Sequence, residues 1–244
     1  MLLKSLRFIT TTAPKALLFC ALICFALVSK QRVTPSAPFQ RETRGQSARI
    51  TRPTSPPYTG DLSIFEDPKR DEKLQINRVM DILGIKEGSS VADIGAGSGW
   101  FTVRAARRVG IKGIVYAVEI NADYLKYIEE RAATEKLTNI RTVLGKEDDP
   151  LLPPRSLDAV LILKTYHEIA EPILVMIHLR DAMRPGALMG IIDKNGNGDD
   201  HGISRRVVIS EAERAGFAVV ETYDFVKPDG MDYFLVLRAR GATQ

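Results

Sequence analysis

VADIGAGSGW, residues 91–100, is the stretch of this sequence that decides the fold. An apolar run leads into three alternate glycines, Gly95, Gly97 and Gly99, and a helical pattern follows them. Glycines at such a turn let the backbone reverse tightly and let a ligand approach where a Cβ atom would collide. The stretch therefore predicts a buried strand, a ligand-binding turn and a helix.

The rest of the body repeats this alternation of strands and helices, which favours a parallel sheet covered by helices. We expect a Rossmann-like, doubly wound α/β sheet of seven strands, mostly parallel, with one strand reversed at the edge in an antiparallel C-terminal hairpin. The predicted helices are 68–83, 100–109, 122–136, 172–183 and 204–215. The predicted strands are 90–94, 114–119, 140–144, 157–163, 187–193, 217–224 and 232–238.

The spacing of the glycines argues against a dinucleotide ligand. A dinucleotide fingerprint has a glycine three positions after its middle glycine, and Trp100 occupies that position. Asp93, just before the turn, repels a pyrophosphate but attracts an ammonium group. Glu119 ends the second predicted strand, where a carboxylate can accept both hydroxyls of a ribose. These two acids favour a zwitterionic nucleoside over NAD.

With these motifs, the chain from about Leu74 to Arg238 resembles the class I S-adenosylmethionine-dependent methyltransferases, in their small-molecule branch. The resemblance implies S-adenosyl-L-methionine as cofactor and a small-molecule methyl acceptor. It implies that Asp93 organises the glycine loop and the methionine ammonium, and that Glu119 clamps the ribose. It further implies contacts with the cofactor from Gly95, Ala96, Gly97, Gly99 and, on the adenine, Ile120.

One position departs from the family's pattern. The family often has Gly-Asp after the third strand, with the acid on the adenine amino group, whereas this chain has Lys146 at the acid position. Glu147 or Asp148 could replace that acid after a small shift of the loop.

The end of the fourth predicted strand, Lys164 to Glu168, carries the candidates for chemistry. Ligands bind at the carboxyl ends of strands in open α/β sheets, and the resemblance places Lys164 by the cofactor. His167 has the pKa range of a general base, and Tyr166 is expected to orient the acceptor. The alternative for His167 is a capping or supporting histidine that transfers no proton.

Other polar residues carry weaker predictions. The loop from Asp193 to Gly202 imitates the start of a calcium loop, but Ser204 replaces the required bidentate glutamate. We expect an acceptor-side lid there, with His201 as a lesser candidate base, and no metal site. His178 is expected to pack within a helix. Phe65 and Arg70 are expected to close over the cofactor.

The N-terminus differs in character from the body. Residues 16–28 form 13 apolar residues, about 20 Å as a helix, against about 30 Å for a bilayer core. With the basic residues before it, residues 1–30 are predicted to be a signal peptide or short membrane anchor. An organelle transit peptide is the alternative. The protein is then membrane-anchored or exported, although an anchor with the body facing the cytosol fits a cytosolic cofactor better.

Residues 31–60, rich in Pro, Ser, Thr and Arg, are predicted to be a flexible linker before a methyltransferase domain at 61–244. Residues 1–60 hold nine basic residues and one acid, a net charge of +8, whereas the remainder holds 25 basic and 29 acidic residues, a net charge of −4. The body is thus slightly acidic, and no nucleic-acid partner is expected. An NAD-dependent oxidoreductase and a non-catalytic nucleoside-binding module on the same fold are the alternative functions.

Overall fold

The structure, a computed structural model, describes Arg52 and residues 54–198, 200–226 and 232–241. Within these residues a seven-stranded sheet has the order β3-β2-β1-β4-β5-β7-β6. The strands are β1 (Ser90–Ile94), β2 (Ile114–Glu119), β3 (Ile140–Leu144), β4 (Leu157–Leu163), β5 (Met183–Lys194), β6 (Phe217–Tyr223) and β7 (Asp232–Ala239). The predicted Rossmann-like fold, with its antiparallel C-terminal hairpin at one edge, is confirmed.

The described residues contain six α-helices, of which two precede β1 and four connect strands. They are α1 (Arg70–Leu74), α2 (Ile76–Ile82), α3 (Trp100–Val109), α4 (Ala122–Thr134), α5 (Pro172–Ala182) and α6 (Arg205–Arg214). Two short 3-10 helices, Leu62–Phe65 and Tyr166–Glu168, lie at the edge where β1, β2, β4 and β5 end. Because β1 is paired with both β2 and β4, the chain order reverses beside β1, which is where such sheets bind ligands.

The structure differs from the sequence prediction at three elements. The predicted first helix is two helices, because Gln75 takes a left-handed conformation with φ 46° between them. Strand β5 begins at Met183, four residues early, and its pairing with β4 is irregular between Met183 and Leu188. The reversed strand β7 lies one position in from the edge, because it pairs with both β5 and β6.

The core covers both faces of the sheet. Strand β4 shows the alternation: Val160 and Ile162 belong to the apolar cluster under α5, whereas Leu161 belongs to the cluster under α2 and α3. Neighbouring side chains of a strand point to opposite faces, so a strand covered on both faces is apolar throughout. All of β1 is buried for the same reason, and this rigid strand carries the glycine turn.

The end of the predicted linker packs against the body. Arg52 Nε donates to Glu211 Oε1 at 2.9 Å, and Ser55 is buried, with its N–H donating to the carbonyl of His167 at 3.2 Å. Arg52 and Ser55 of the predicted linker therefore contact the body, and the flexibility predicted for residues 31–60 stays a prediction. The rest of 31–60, and all of 1–30 with the apolar run 16–28, lie outside the described residues.

Among the helices of the described residues, none has the length and apolar character needed to cross a bilayer.

The buried contact of Arg52 yields a stability prediction. The side chains of Arg52 and Glu211 are 10% and 5% exposed, and the Tyr166 hydroxyl donates to the same carboxylate at 2.7 Å. We expect R52M to lower the free energy of unfolding by about 3 kcal/mol in urea denaturation, because Glu211 then lacks its cation. Adding E211Q should recover much of that loss.

The matched control is K126A, which breaks the exposed Lys126–Asp123 ion pair and should change the unfolding free energy by less than about 1 kcal/mol. An equally small effect of R52M would show that Arg52 does not anchor the segment.

Candidate functional site

The glycine turn is held against the end of β2. The N–H groups of Gly95 and Ala96 both donate to the carbonyl of Val118, at 2.9 and 3.1 Å. Gly95 has φ 67°, and a Cβ atom there would lie 2.3 Å from Thr165 Cγ2. Both the left-handed backbone and the contact with the loop after β4 therefore require glycine at this position.

Asp93 lies beneath the turn and is fully buried. Its Oδ2 accepts a hydrogen bond from Thr102 Oγ1 at 2.6 Å. Burial raises the pKa of Asp93 to about 7; the charge of Glu119 adds to the rise, whereas the bond from Thr102 and the charge of Arg70 oppose it. Asp93 does not line the cavities described below, so it acts on them through its charge and through α3.

Glu119 ties the turn to the loop after β2. Its Oε1 accepts from the Gly97 N–H at 3.0 Å, and its Oε2 accepts from the Ile120 N–H at 2.9 Å. Burial raises the pKa of Glu119, and these backbone donors counteract the rise. Each carboxylate oxygen has two lone pairs, so the group can still accept hydrogen bonds from a ligand.

Two adjoining cavities open at the turn. The turn cavity, about 390 Å³, lies over the glycines and extends to Arg70, Lys164, His167 and His201. The wide cavity, about 640 Å³, lies over Ile120, Lys146 and Glu147 and is closed by residues 54–59. Both are lined by Tyr58, Gly95, Glu119, Tyr124, Thr165 and Glu168.

The cavities bring most of the predicted cofactor residues together. Gly95, Ala96, Gly97, Glu119 and Lys164 line the turn cavity, and Ile120 and Glu147 line the wide one. Gly99 instead begins α3 and packs on Ile128, 3.1 Å from the site of an added Cβ atom. Glu147, not Asp148, is thus the acid placed at the wide cavity. The Asp148 carbonyl contacts His178 Nδ1 at 2.9 Å.

His167 is held by a buried carboxylate. Its Nδ1 lies 2.9 Å from Asp193 Oδ1 and 3.1 Å from Oδ2, and its backbone N–H donates to the same group. Asp193 is completely buried at the end of β5. A histidine held through Nδ1 keeps its ring orientation and leaves Nε2 for a ligand or a proton. His167 therefore has the geometry of a positioned base.

Glu168 is a site residue that the sequence analysis did not single out. Its Oε1 lies 3.8 Å from His167 Nε2. Burial raises the pKa of Glu168 to about 7, although the charge of His167 opposes the rise. Its place follows from the 3-10 helix Tyr166–Glu168, a turn that no apolar periodicity marks.

Tyr166 does not contact either cavity. Its side chain is completely buried in the core, where its hydroxyl donates to Glu211. The expectation that Tyr166 orients an acceptor is therefore wrong in this structure, because the 3-10 helix turns His167 and Glu168, but not Tyr166, toward the site. Tyr166 instead supports the contact of Arg52 with the body, since the guanidinium lies 5.5 Å from its ring centroid.

Arg70 and Lys164 bring positive charge to the turn cavity. The Arg70 guanidinium lies 4.4 Å from the ring centroid of Trp100 and donates to the carbonyl of Phe65 at 2.8 Å. Lys164 forms an ion pair with the buried Asp232 of β7. Arg70 and Phe65, expected to close over the cofactor, do line this cavity.

The polar side chains of the calcium-like loop, residues 193–202, bond to other groups of the protein. Asp193 holds His167, Asn195 Oδ1 accepts from the Arg205 N–H at 3.2 Å, and Asp200 Oδ1 accepts from the Asn197 N–H at 3.3 Å. The loop nevertheless brings His201 to the turn cavity.

Comparison with known proteins shows that this chain is similar to methyltransferases. Residues 91–186 match a family model described as a methyltransferase domain. Aklanonic acid methyltransferase DauC of Streptomyces sp. (strain C5) is 31% identical over 152 residues, 62% of this chain and 59% of that protein. A demethylmenaquinone methyltransferase of Staphylococcus carnosus is 26% identical over 116 residues, 48% of this chain and 47% of that protein. The chain spans about half the length of the curated relatives it matches.

Solved structures give a longer match. A SAM-dependent methyltransferase from Aquifex aeolicus is 26% identical, with a TM-score of 0.66, and the alignment covers 73% of this chain and 98% of that one.

The curated relatives are named for different substrates. A protein-L-isoaspartate O-methyltransferase of Pyrococcus horikoshii is 25% identical over 108 residues, 44% of this chain and 46% of that protein.

The contact of Gly95 with Thr165 yields a second stability prediction. We expect G95A to lower the free energy of unfolding by about 2–5 kcal/mol, because left-handed backbone costs about 1–2 kcal/mol and overpacking about 1–3 kcal/mol. The control is G84A, since Gly84 has φ 70° but no atom within 4 Å of an added Cβ. Chemical denaturation should give about 1 kcal/mol for G84A. Equal losses in the two variants would contradict the close approach.

Proposed function

We propose that this chain, a member of the class I S-adenosylmethionine-dependent methyltransferase family, transfers a methyl group to a small molecule bound beside His167. The observation that carries the proposal is that one cavity, the turn cavity, extends from the glycine turn and Glu119 to His167, which Asp193 holds. The residues expected to bind the cofactor and the positioned His167 therefore line one cavity.

The residues of the site fit S-adenosylmethionine part by part. Arg70 offers a guanidinium to the methionine carboxylate, and the charge of Asp93 favours the ammonium. Glu119 has spare acceptor capacity for the ribose hydroxyls. Ile120, which is 47% exposed, offers an apolar surface to the adenine, and Glu147 offers an acceptor for its amino group.

The bound cofactor supplies an already activated methyl group, so the protein's task is to position the acceptor and, where needed, take its proton. His167 Nε2 is the atom that we propose for the proton, with Asp193 as the group that orients the ring. Residues 54–59 and Tyr124 line the wide cavity.

A small-molecule acceptor is supported by the size and charge of the site. Cavities of about 300–1,000 Å³ are typical of small-ligand sites, and both cavities fall in that range. The body carries a net charge of −4 from residue 61 onward, which does not favour a nucleic-acid partner. Relatives named for aklanonic acid and demethylmenaquinone point to the same class.

The experiment is to incubate the full chain with methyl-labelled S-adenosylmethionine and separated fractions of small metabolites, protein and tRNA. We expect label in the small-metabolite fraction. The H167N variant should reduce labelling by about 10²–10⁴-fold, as removal of a general base does. The control H178N, changed on a histidine outside both cavities, should leave it unchanged. Label found only in protein or tRNA would overturn the proposed acceptor class.

The raised pKa of Asp93 yields a pH prediction for binding. An ammonium group near Asp93 favours the ionised carboxylate, so ligand binding releases a proton from a group whose pKa is about 7. The affinity for S-adenosylhomocysteine should therefore rise with pH from 6 to 8, by at most about tenfold per unit below that pKa. Isothermal titration across this range measures it.

In the D93N variant the affinity should be lower and its pH slope from 6 to 8 should be lost. E168Q is the control, because burial also raises the pKa of Glu168, a residue that lines the turn cavity, to about 7, and this variant should keep the slope. A slope that persists in D93N and disappears in E168Q would assign the titration to Glu168 instead.

We also propose that residues 16–28 anchor the protein to a membrane or direct its export. The length and apolar character of that run support the proposal. Protease digestion of intact spheroplasts tests the orientation: a body protected until lysis faces the cytosol, and digestion from outside means export. Recovery of the uncleaved full chain from the soluble fraction of lysed cells would contradict both.

A further inference from the structure

We propose that His167, Glu168 and His201 form a binding site for a divalent transition-metal ion on the acceptor side of the turn cavity. The proposal rests on the proposed function and deepens it, because it names the group that would hold the acceptor. In the metal-bound protein, the ion takes the place at Nε2 that a proton takes in the metal-free one.

The three side chains converge closely enough to share one ion. One ligand atom from each lies within 4.8 Å of the others, and His167 Nε2 is 3.8 Å from Glu168 Oε1. Zinc binds such ligands at about 2.0–2.2 Å in tetrahedral geometry, so two ligand atoms of one ion lie about 3.3–3.6 Å apart. His167 is buried and His201 is exposed, so movement of His201 and Glu168 has to close up to about 1.5 Å.

Asp193 prepares His167 for a metal. It holds Nδ1 at 2.9 and 3.1 Å, so Nε2 is the nitrogen that faces Glu168 and the cavity. A carboxylate behind a ligating histidine is the usual arrangement at metal sites, where it sets the tautomer and makes the imidazole a better ligand. The pair therefore serves metal binding as well as it serves proton transfer.

His201 is held in place by its backbone while its ring stays exposed to the cavity. Its N–H donates to Ser55 Oγ at 3.0 Å, and its left-handed φ of 55° turns the chain. The loop is closed on either side by the bonds from Gly198 N–H to the Gly202 carbonyl and from Ile203 N–H to the Lys194 carbonyl. The rings of His167 and His201 are perpendicular, with centroids 5.8 Å apart.

The ligand set selects the kind of ion and of acceptor. Two imidazoles and one carboxylate suit Zn²⁺, Fe²⁺, Co²⁺ or Ni²⁺ better than Mg²⁺ or Ca²⁺, which prefer oxygen ligands. Three protein ligands leave at least one coordination position open, as in catalytic zinc sites. The open position faces the turn cavity, so the acceptor that fits carries an oxygen or sulfur atom able to coordinate the ion.

The test is a titration of the full chain, free of any affinity tag and pretreated with a chelator, with Co²⁺ followed by its visible absorption. We expect one Co²⁺ per chain, displaced by Zn²⁺. H201A and E168Q should each weaken binding by about tenfold or more, and D193N by about 10–100-fold, the usual loss when the group behind a ligand is removed. H178A should bind Co²⁺ like the wild type.

The proposal is overturned if the wild type binds no Co²⁺, or if H178A weakens binding as much as H201A does. Circular dichroism checks the folding of each variant, and E168Q keeps the test decisive if H201A does not fold. S-adenosylhomocysteine binding in chelator separates the two proposals. Nucleoside binding without Co²⁺ binding removes the metal site alone, whereas Co²⁺ binding without nucleoside binding removes the proposed function and leaves the ion site.

Discussion

The site depends on the attachment of the glycine turn to the end of β2. The carbonyl of Val118 accepts from both Gly95 and Ala96, and the next residue, Glu119, accepts from Gly97. The parallel register that pairs Ile94 with Val118 brings these groups into reach. A turn held at three successive N–H groups cannot slide along the sheet, so its glycines keep a fixed distance to Thr165 and to the loops that close the cavities.

Three buried carboxylates around the site are stabilised in three different ways, and the difference explains their roles. Glu211 has a cation, Arg52, and stays in the core. Asp193 accepts from the backbone N–H of His167 and lies beside its Nδ1. Asp93 has a hydroxyl, Thr102, and its pKa is raised to about 7 by burial. In the proposed function, only the last two respond to what enters the turn cavity.

The sequence predicts best what is local and periodic. Strands β1, β2, β3 and β4 have the predicted bounds, because apolar runs between turn residues mark them directly. The glycine turn and Glu119 were found from spacing alone. The sequence wrongly predicts Tyr166 at the site and does not single out Glu168, because a three-residue 3-10 helix decides which neighbour faces the cavity, and its direction depends on the packing of Tyr166 against Glu211. The convergence of His167 with His201 was missed because 33 residues lie between them in the sequence.

The segment before the domain belongs to the site, which changes how the domain boundary should be understood. Ser55 donates its N–H to the carbonyl of His167, accepts the N–H of His201 on its hydroxyl, and donates that hydroxyl to the carbonyl of Gly198. One buried serine thus fixes the backbone of both histidines that face the turn cavity. Arg52, three residues earlier, holds the same segment to α6 through Glu211. A composition rich in proline and serine predicts a linker. The contacts with the body depend on only two side chains, those of Arg52 and Ser55, and the composition of a segment does not show which single residues make contacts. The relative position of the two histidines is therefore set in part from outside the Rossmann-like sheet, by residues that precede its first helix, and in part by Asp193 and Lys194 at the end of β5.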